Sequence, residues 1–434
     1  MTQTWPFLTS AAPISGRYKC TPEDFVVDEL PAYAPSGEGE HLLVQIRKRG
    51  LSTHEAVARI ARALGLAPAQ IGVAGLKDAQ GVTSQWISVQ GVERARLDGL
   101  GERGIEVLQA ERHKNKLRVG HLRGNRFRIR LREIEPANDA ALRSVFDELV
   151  RRGVPNYFGE QRFGLRGDTW RIGRALLLEE WSEAVAWLAG RPGPHDSGRV
   201  LRARELFDAG DYERAAEAWP GGFRVCIRVC RALAKSGGNA RRALYAIDHG
   251  LLRFYTSAYQ SWLFNALLAR RLEQFDRVQL GDLAWLHRNG AVFLVKDLAL
   301  DAPRAEALEI SASGPLFGTR MSSPQGLPLE LEQAVLAGEG HALEAFTRPG
   351  RLQWQGGRRP LRFPLAECAF ERGEDERGAH LELRFDAPPG CYATSVLREL
   401  LKRDDVALEG APAAPGADDA SSEPASSEEP SSGA

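Results

Sequence analysis

From Arg126 to Arg132 the chain reads Arg-Phe-Arg-Ile-Arg-Leu-Arg, a strict alternation of charge and apolar bulk. Successive side chains on an extended strand point to opposite faces, so this period of two places Phe127, Ile129 and Leu131 on one side. It turns Arg126, Arg128, Arg130 and Arg132 to the other. A strand with one apolar face needs neighbouring strands and a covering layer, so the fold must contain a sheet packed on one side. The wider stretch from Arg112 to Arg132 holds nine Lys or Arg residues and no acid. A solvated outer strand face would account for such a row, but phosphates are its natural counterpart.

Other local patterns make the fold mixed. Ser52-Thr53-His54-Glu55 has capping-box spacing and leads into Val57, Ile60, Ala61 and Leu64 at helical intervals before Gly65, which predicts an amphipathic helix. Strand-like segments flank it at Leu42 to Ile46 and Gln85 to Val89. From Asp168 to Leu188 and from Ala240 to Leu272 the period becomes helical, then strands return at Leu361 to Phe363 and Leu381 to Phe385. The last part therefore resembles the first more than the middle, as an insertion would produce. Val396, Leu397, Leu400 and Leu401 form a final helical stripe, and from about Ala407 the chain is almost entirely Ala, Pro, Ser, Gly, Asp and Glu, too poor in apolar surface to order itself.

That tail bears on the charge. The whole chain of 434 residues is neutral, but from Asp404 onward it carries eight acids and no base, which leaves an excess of eight positive charges on the remainder. Such an excess is compatible with a polyanionic partner. No apolar run approaches the ~18 residues of a membrane span, and the first basic residue is Arg17, which does not fit a secretory signal. A soluble cytoplasmic protein is the expectation. The five cysteines are odd in number, scattered and without C-x-x-C spacing, so they read as reduced thiols and no metal is expected; Cys226 and Cys230 suit burial on one helix face or strand.

Familiar catalytic motifs fail. Gly99 to Gly104 matches G-x-G-x-x-G, but the strand-like Ile105 to Leu108 follows it rather than preceding it. There is no phosphate loop, H-E-x-x-H or G-x-S-x-G. What remains is Gly120-His121-Leu122-Arg123-Gly124-Asn125-Arg126-Phe127, where glycines permit close backbone approach and Asn125 offers both a donor and an acceptor, as the edge of uracil requires. Phe127 serves equally as core filling or as a stacking partner for an extruded base.

A further segment, Ala74-Gly75-Leu76-Lys77-Asp78-Ala79-Gln80-Gly81-Val82-Thr83-Ser84-Gln85-Trp86, resembles the catalytic motif of the tRNA pseudouridine synthase D family. Four more blocks are similar to the same family in the same order: Pro22 to Val27, Gly120 to Phe127, Gly153 to Gly164 and Gly390 to Leu400. The resemblance spans Lys19 to Arg403. It implies an α/β (α+β) pseudouridine synthase domain, a mixed and largely antiparallel sheet flanked by helices, interrupted by a family-specific inserted domain. The boundaries that follow are 1–154 and 358–403 for the catalytic domain, 155–357 for the insertion and 404–434 for a disordered acidic tail.

The same resemblance implies roles. Asp78 corresponds to the catalytic aspartate, Phe25, Asn125 and Phe127 to contacts with the target uridine, Tyr392 to an aromatic on the substrate side, and Lys19 to a basic residue of the site. Lys77, on an extended segment, would face away from Asp78. The implied reaction isomerises uridine at position 13 of the tRNA D arm and needs neither cofactor nor metal, only a carboxylate, ionised at neutral pH for an ordinary aspartate of pKa ~3.9. Attack on C1′ and removal of the C2′ proton are both open to it. The expected partner is tRNA, with no membrane and with a monomeric enzyme. The rival readings are a non-catalytic RNA-binding or chaperone protein, and a pseudouridine synthase acting on other RNAs. Two departures from the family, additional length at about 191–223 and 327–350 and Asp168 in place of an expected Asn, concern the insertion.

Overall fold

The structure is a computed structural model and describes residues 4–77, 80–98, 101–135, 139–194, 196–348 and 352–404. Asp78 and the tail beyond residue 404 lie outside the described residues. The chain divides into two compact units, one formed by residues 9–154 with 363–404, the other by 4–8 with 155–362.

In chain order the first stretch contains β1 (Phe25–Pro31), β2 (His41–Arg49), α1 (Thr53–Leu64), β3 (Ile71–Val73), β4 (Val82–Gln90), α2 (Ala95–Asp98), β5 (Ile105–His113), β6 (Leu122–Arg132), α3 (Asp139–Arg152) and β7 (Val154–Pro155). The middle contains α4 (Thr169–Leu177), α5 (Trp181–Ala189), α6 (Gly198–Asp208), α7 (Tyr212–Ala218), α8 (Arg224–Lys235), α9 (Ala240–Leu244), α10 (His249–Arg271), β8 (Leu283–Leu286), β9 (Val292–Leu294), α11 (Leu298–Glu306), β10 (Ile310–Leu316), α12 (Leu327–Gly338) and β11 (Gly357–Pro360). The return adds β12 (Arg362–Phe363), β13 (Ala366–Asp375), β14 (Gly378–Ala387) and α13 (Ala393–Leu401).

The first unit is built on an eight-stranded sheet in the order β13-β14-β6-β1-β4-β2-β5, with β3 also paired to β4. β1 and β4 run parallel, while the neighbours β1–β6, β2–β4, β2–β5, β6–β14 and β13–β14 run antiparallel. Helix α1 forms where the sequence predicts it: Ser52 accepts the Glu55 amide at 3.2 Å, and Gly65 closes the helix in the left-handed region at φ 67°. Its inner residues Ala56, Ile60 and Leu64 cover Leu42, Val44, Ile46, Ile87 and Val89. At the other end of the same sheet face, Phe146 of α3 stacks on Phe370 of β13 at 5.8 Å, and α13 packs against α3.

The second unit is mainly helical, with a four-stranded sheet in the order β11-β10-β8-β9. Its helical core gathers Val185, Leu188, Phe207, Trp219, Val229 and Leu252 among others. Cys226 and Cys230 both lie buried on the inner face of α8. The helical pattern over 168–188 and 240–272 is realised in each case by two helices. Glu179 adopts a left-handed backbone (φ 58°) just after α4, and Asp248 caps a fresh start for α10 by accepting the Gly250 amide at 2.8 Å. Periodicity carries across both breaks because the apolar faces on either side pack into one core.

Candidate active site

Strand register sorts the side chains of the large sheet. Phe25 lies opposite Ile129, Val27 opposite Phe127 and Glu29 opposite Asn125, so all six share one face. The pairings of Val27 with Thr83, Lys48 with Thr83 and Ile46 with Gln85 extend that face across β4 and β2. Phe127 lies opposite Phe385 on the other side. Between the ground covered by α1 and that covered by α3, the face therefore becomes polar: Glu29, Lys48, Thr83, Gln85 and Asn125. All of these but Asn125 are buried at 2% exposure or less, and Asn125 is half-buried.

Much of this patch grips Lys77, the residue before Asp78. The Lys77 amide donates to Thr53 Oγ1 at 2.8 Å, and the Thr53 hydroxyl donates to Gln85 Oε1 at 2.9 Å. Lys48 Nζ donates to the carbonyls of Leu51 at 2.5 Å and Lys77 at 3.2 Å. The Lys77 ammonium itself pairs with Glu29 at 2.8 Å, the two side chains being 6% and 0% exposed. Glu29 also accepts the Trp86 amide at 3.0 Å. A few residues on, Gly81 passes so close to β1 that a Cβ there would stand 2.5 Å from the Phe25 carbonyl oxygen. Lys77 is thus held by a buried clamp, and Gly81 lies in a passage only glycine fits.

Three polar atoms of the same face have no hydrogen-bond partner among the described residues: Thr83 Oγ1, Gln85 Nε2 and Asn125 Oδ1. A buried polar atom left unpaired costs about 1–3 kcal/mol, so folded proteins retain few of them. Here they sit together on β4 and β6, beside the clamp.

The structure brings several of the expected site residues together. Phe25 and Phe127 lie 6.3 Å apart and are 4% and 6% exposed, and Phe127 also stacks on Phe385 at 5.2 Å. Lys19 holds its ammonium 4.4 Å from the Phe25 ring centroid. It does so from a left-handed backbone (φ 57°), a conformation that costs a non-glycine residue on the order of 1 kcal/mol. Tyr392 is half-buried at the N-cap of α13, just past the end of β14 where Ala387 lies opposite Asn125. Asp78 is the one site residue outside the described set.

The arginine row departs from expectation. Phosphates were its natural counterpart, but three of these side chains are held by carboxylates on the face opposite Phe127. Arg126 makes a two-toothed pair with Asp386 at 2.8 Å. Arg130 pairs with Glu382 at 2.9 Å and Asp375 at 3.3 Å, and Arg132 with Asp24 at 2.6 Å and Asp375 at 2.8 Å. The Arg132 guanidinium, together with the Arg377 amide, holds the Asp375 carboxyl well below the usual carboxylate range. Asp375 on β13, Glu382 and Asp386 on β14 and Asp24 just before β1, all far away in sequence, supply these partners. Arg128 remains exposed in the row.

Sequence reading missed the clamp. Lys48 continues the buried phase of Leu42, Val44 and Ile46, Glu29 continues that of Phe25 and Val27, and Thr83 and Gln85 lead into Ile87 and Val89. A polar residue in phase with a buried strand face was the available signal.

Among the described residues, no group of three or more His, Cys, Asp or Glu side chains is placed to hold a metal ion, and no helix is long and apolar enough to cross a membrane.

The family model for tRNA pseudouridine synthase D matches residues 3–400. A tRNA pseudouridine synthase D from Geobacter sulfurreducens is 46% identical over 398 residues, covering 92% of this chain and 97% of that protein. One from Thermus thermophilus is 36% identical, with coverage of 96% and 97%. The crystal structure of a Methanosarcina mazei protein described as tRNA pseudouridine synthase D superposes with a TM-score of 0.78 at 27% identity, covering 92% of this chain and 96% of the other. The chain belongs to the tRNA pseudouridine synthase D family, a family of isomerases.

Proposed function

We propose that this chain converts uridine to pseudouridine in tRNA, at position 13 of the D arm, with Asp78 as the catalytic carboxylate. The observation that carries the reading is the buried polar face, whose unpaired Thr83 Oγ1, Gln85 Nε2 and Asn125 Oδ1 lie beside a loop clamped at Lys77. Residues 9–154 and 363–404 then form the catalytic domain around this face, and 155–362 form the inserted domain.

In the reaction the N1–C1′ bond breaks, the uracil turns, a C1′–C5 bond forms, C5 loses a proton and N1 gains one. Nothing is added or removed overall, so no cofactor enters. Asp78 acts at the sugar, either by attack on C1′ or by taking the C2′ proton. Asn125 offers its unpaired acceptor to a uracil N–H, and Phe25 and Phe127 line the base, with Lys19 and Tyr392 at the edge of the site. Extruding the nucleotide costs a few kcal/mol, which stacking of ~1–3 kcal/mol per base and phosphate contacts offset. The substrate places the reaction in the cytoplasm, and one chain carries every residue named, so a monomer suffices.

The test incubates purified chain with unmodified tRNA and no added cofactor, then maps pseudouridine. Wild type should modify position 13, and Asp78→Asn should bind tRNA while forming none. Modification elsewhere with position 13 untouched would refute the site assignment, and full turnover by Asp78→Asn would refute the role of Asp78.

A further inference from the structure

Helix α8 in the second unit has two unlike faces. Val225, Cys226, Val229, Cys230 and Leu233 are buried in the helical core. On the other side Arg224, Arg228, Arg231 and Lys235 recur at helical spacing, all exposed. Together with Ile227 and Ala232 they line a shallow groove along the helix. With a rise of 1.5 Å per residue, the basic row extends about 16 Å.

A solvated surface helix ordinarily mixes signs, as its neighbour α6 does with Arg202 set against Glu205. α8 contains no acid at all. Its cations stand three and four residues apart, a spacing at which like charges repel. Arg224 also lies in the first turn, where the helix dipole disfavours a cation. Among the described residues, Arg228, Arg231 and Lys235 make no ion pair or hydrogen bond through their side chains. The arrangement is unfavourable for an isolated domain and becomes favourable against an external polyanion.

We propose that the exposed face of α8 binds the phosphate backbone of the RNA substrate. The inference rests on the tRNA reading for the identity of its partner. Guanidinium groups engage phosphate oxygens in pairs. The groove exposes no aromatic ring of the kind that anchors a protein interface. Contacts of this type position RNA without reading its sequence.

The experiment measures the affinity of full-length chain for unmodified tRNA over a range of salt, for wild type, Arg228→Gln with Arg231→Gln, and Arg202→Gln as a control in the same unit. Glutamine keeps the helix propensity of arginine, and circular dichroism checks the fold. The double variant should lower the slope of log affinity against log salt by about two and weaken binding by roughly 60-fold at 0.1 M salt, with the difference vanishing toward 1 M. Turnover at sub-saturating tRNA should fall in step with affinity, and the control should match wild type throughout. An unchanged slope in the double variant overturns the proposal even where wild type makes pseudouridine. Wild type that makes no pseudouridine in tRNA refutes the activity instead, and the salt slopes still decide whether α8 holds RNA.

Discussion

Replacing Glu29 by Gln isolates the buried ion pair that anchors Lys77. The wild-type partners are 2.8 Å apart and almost fully removed from solvent. At an effective dielectric of about 20 their attraction is about 6 kcal/mol, most of it spent on desolvating the two charges. Glutamine keeps the shape and an acceptor for the Trp86 amide but leaves the Lys77 ammonium unneutralised. Breaking one side of a buried pair costs about 3–5 kcal/mol. Against a total stability of about 5–15 kcal/mol this is a large fraction. Urea unfolding of wild type, Glu29→Gln, Lys77→Met and the double variant measures it. Each single change should cost about 3–5 kcal/mol, and the double should cost less than the sum of the two. A single variant within about 1 kcal/mol of wild type, or strict additivity, would show that the pair is not the anchor described.

Other consequences are accessible to simpler measurements. Burial, with a smaller contribution from Arg362, pushes the His287 imidazole down from 6.5 to about 4. The unfolded chain therefore binds an additional proton between those values, and stability falls as pH drops from about 6.5 to 4, by roughly 3 kcal/mol in total; His287→Gln should flatten that part of the curve, and an unaltered slope would count against it. Burial pushes the Cys226 thiol up to about 12 and the Cys230 thiol up to about 11, whereas Cys20 is exposed. Iodoacetamide at pH 8 should label Cys20 and spare the other two until urea is added, as peptide mass spectrometry will report. Gly81→Ala forces a Cβ against the Phe25 carbonyl. It should lower turnover at least tenfold, on an order-of-magnitude estimate for a displaced reacting group, and normal turnover would mean the passage is not tight.

The strands and the capped helix α1 follow from short-range pattern, because alternation and capping are local properties of the backbone. Arg126 to Arg132 alone fixed one buried and one charged face, and the Gly-Leu-Lys-Asp block with its four companions pointed to the family. Register decided what the pattern left open. It placed Glu29 next to Asn125 and Thr83 between Val27 and Lys48, assembling from four strands a polar patch that no single stretch displays. It also brought Asp386, Glu382 and Asp375 onto arginines more than 240 residues earlier, turning a row that looked ready for phosphate into the mortar of the sheet's outer face. Local sequence sets which way each side chain points; what it meets depends on which strand lies alongside, and that is settled only when distant segments share one core.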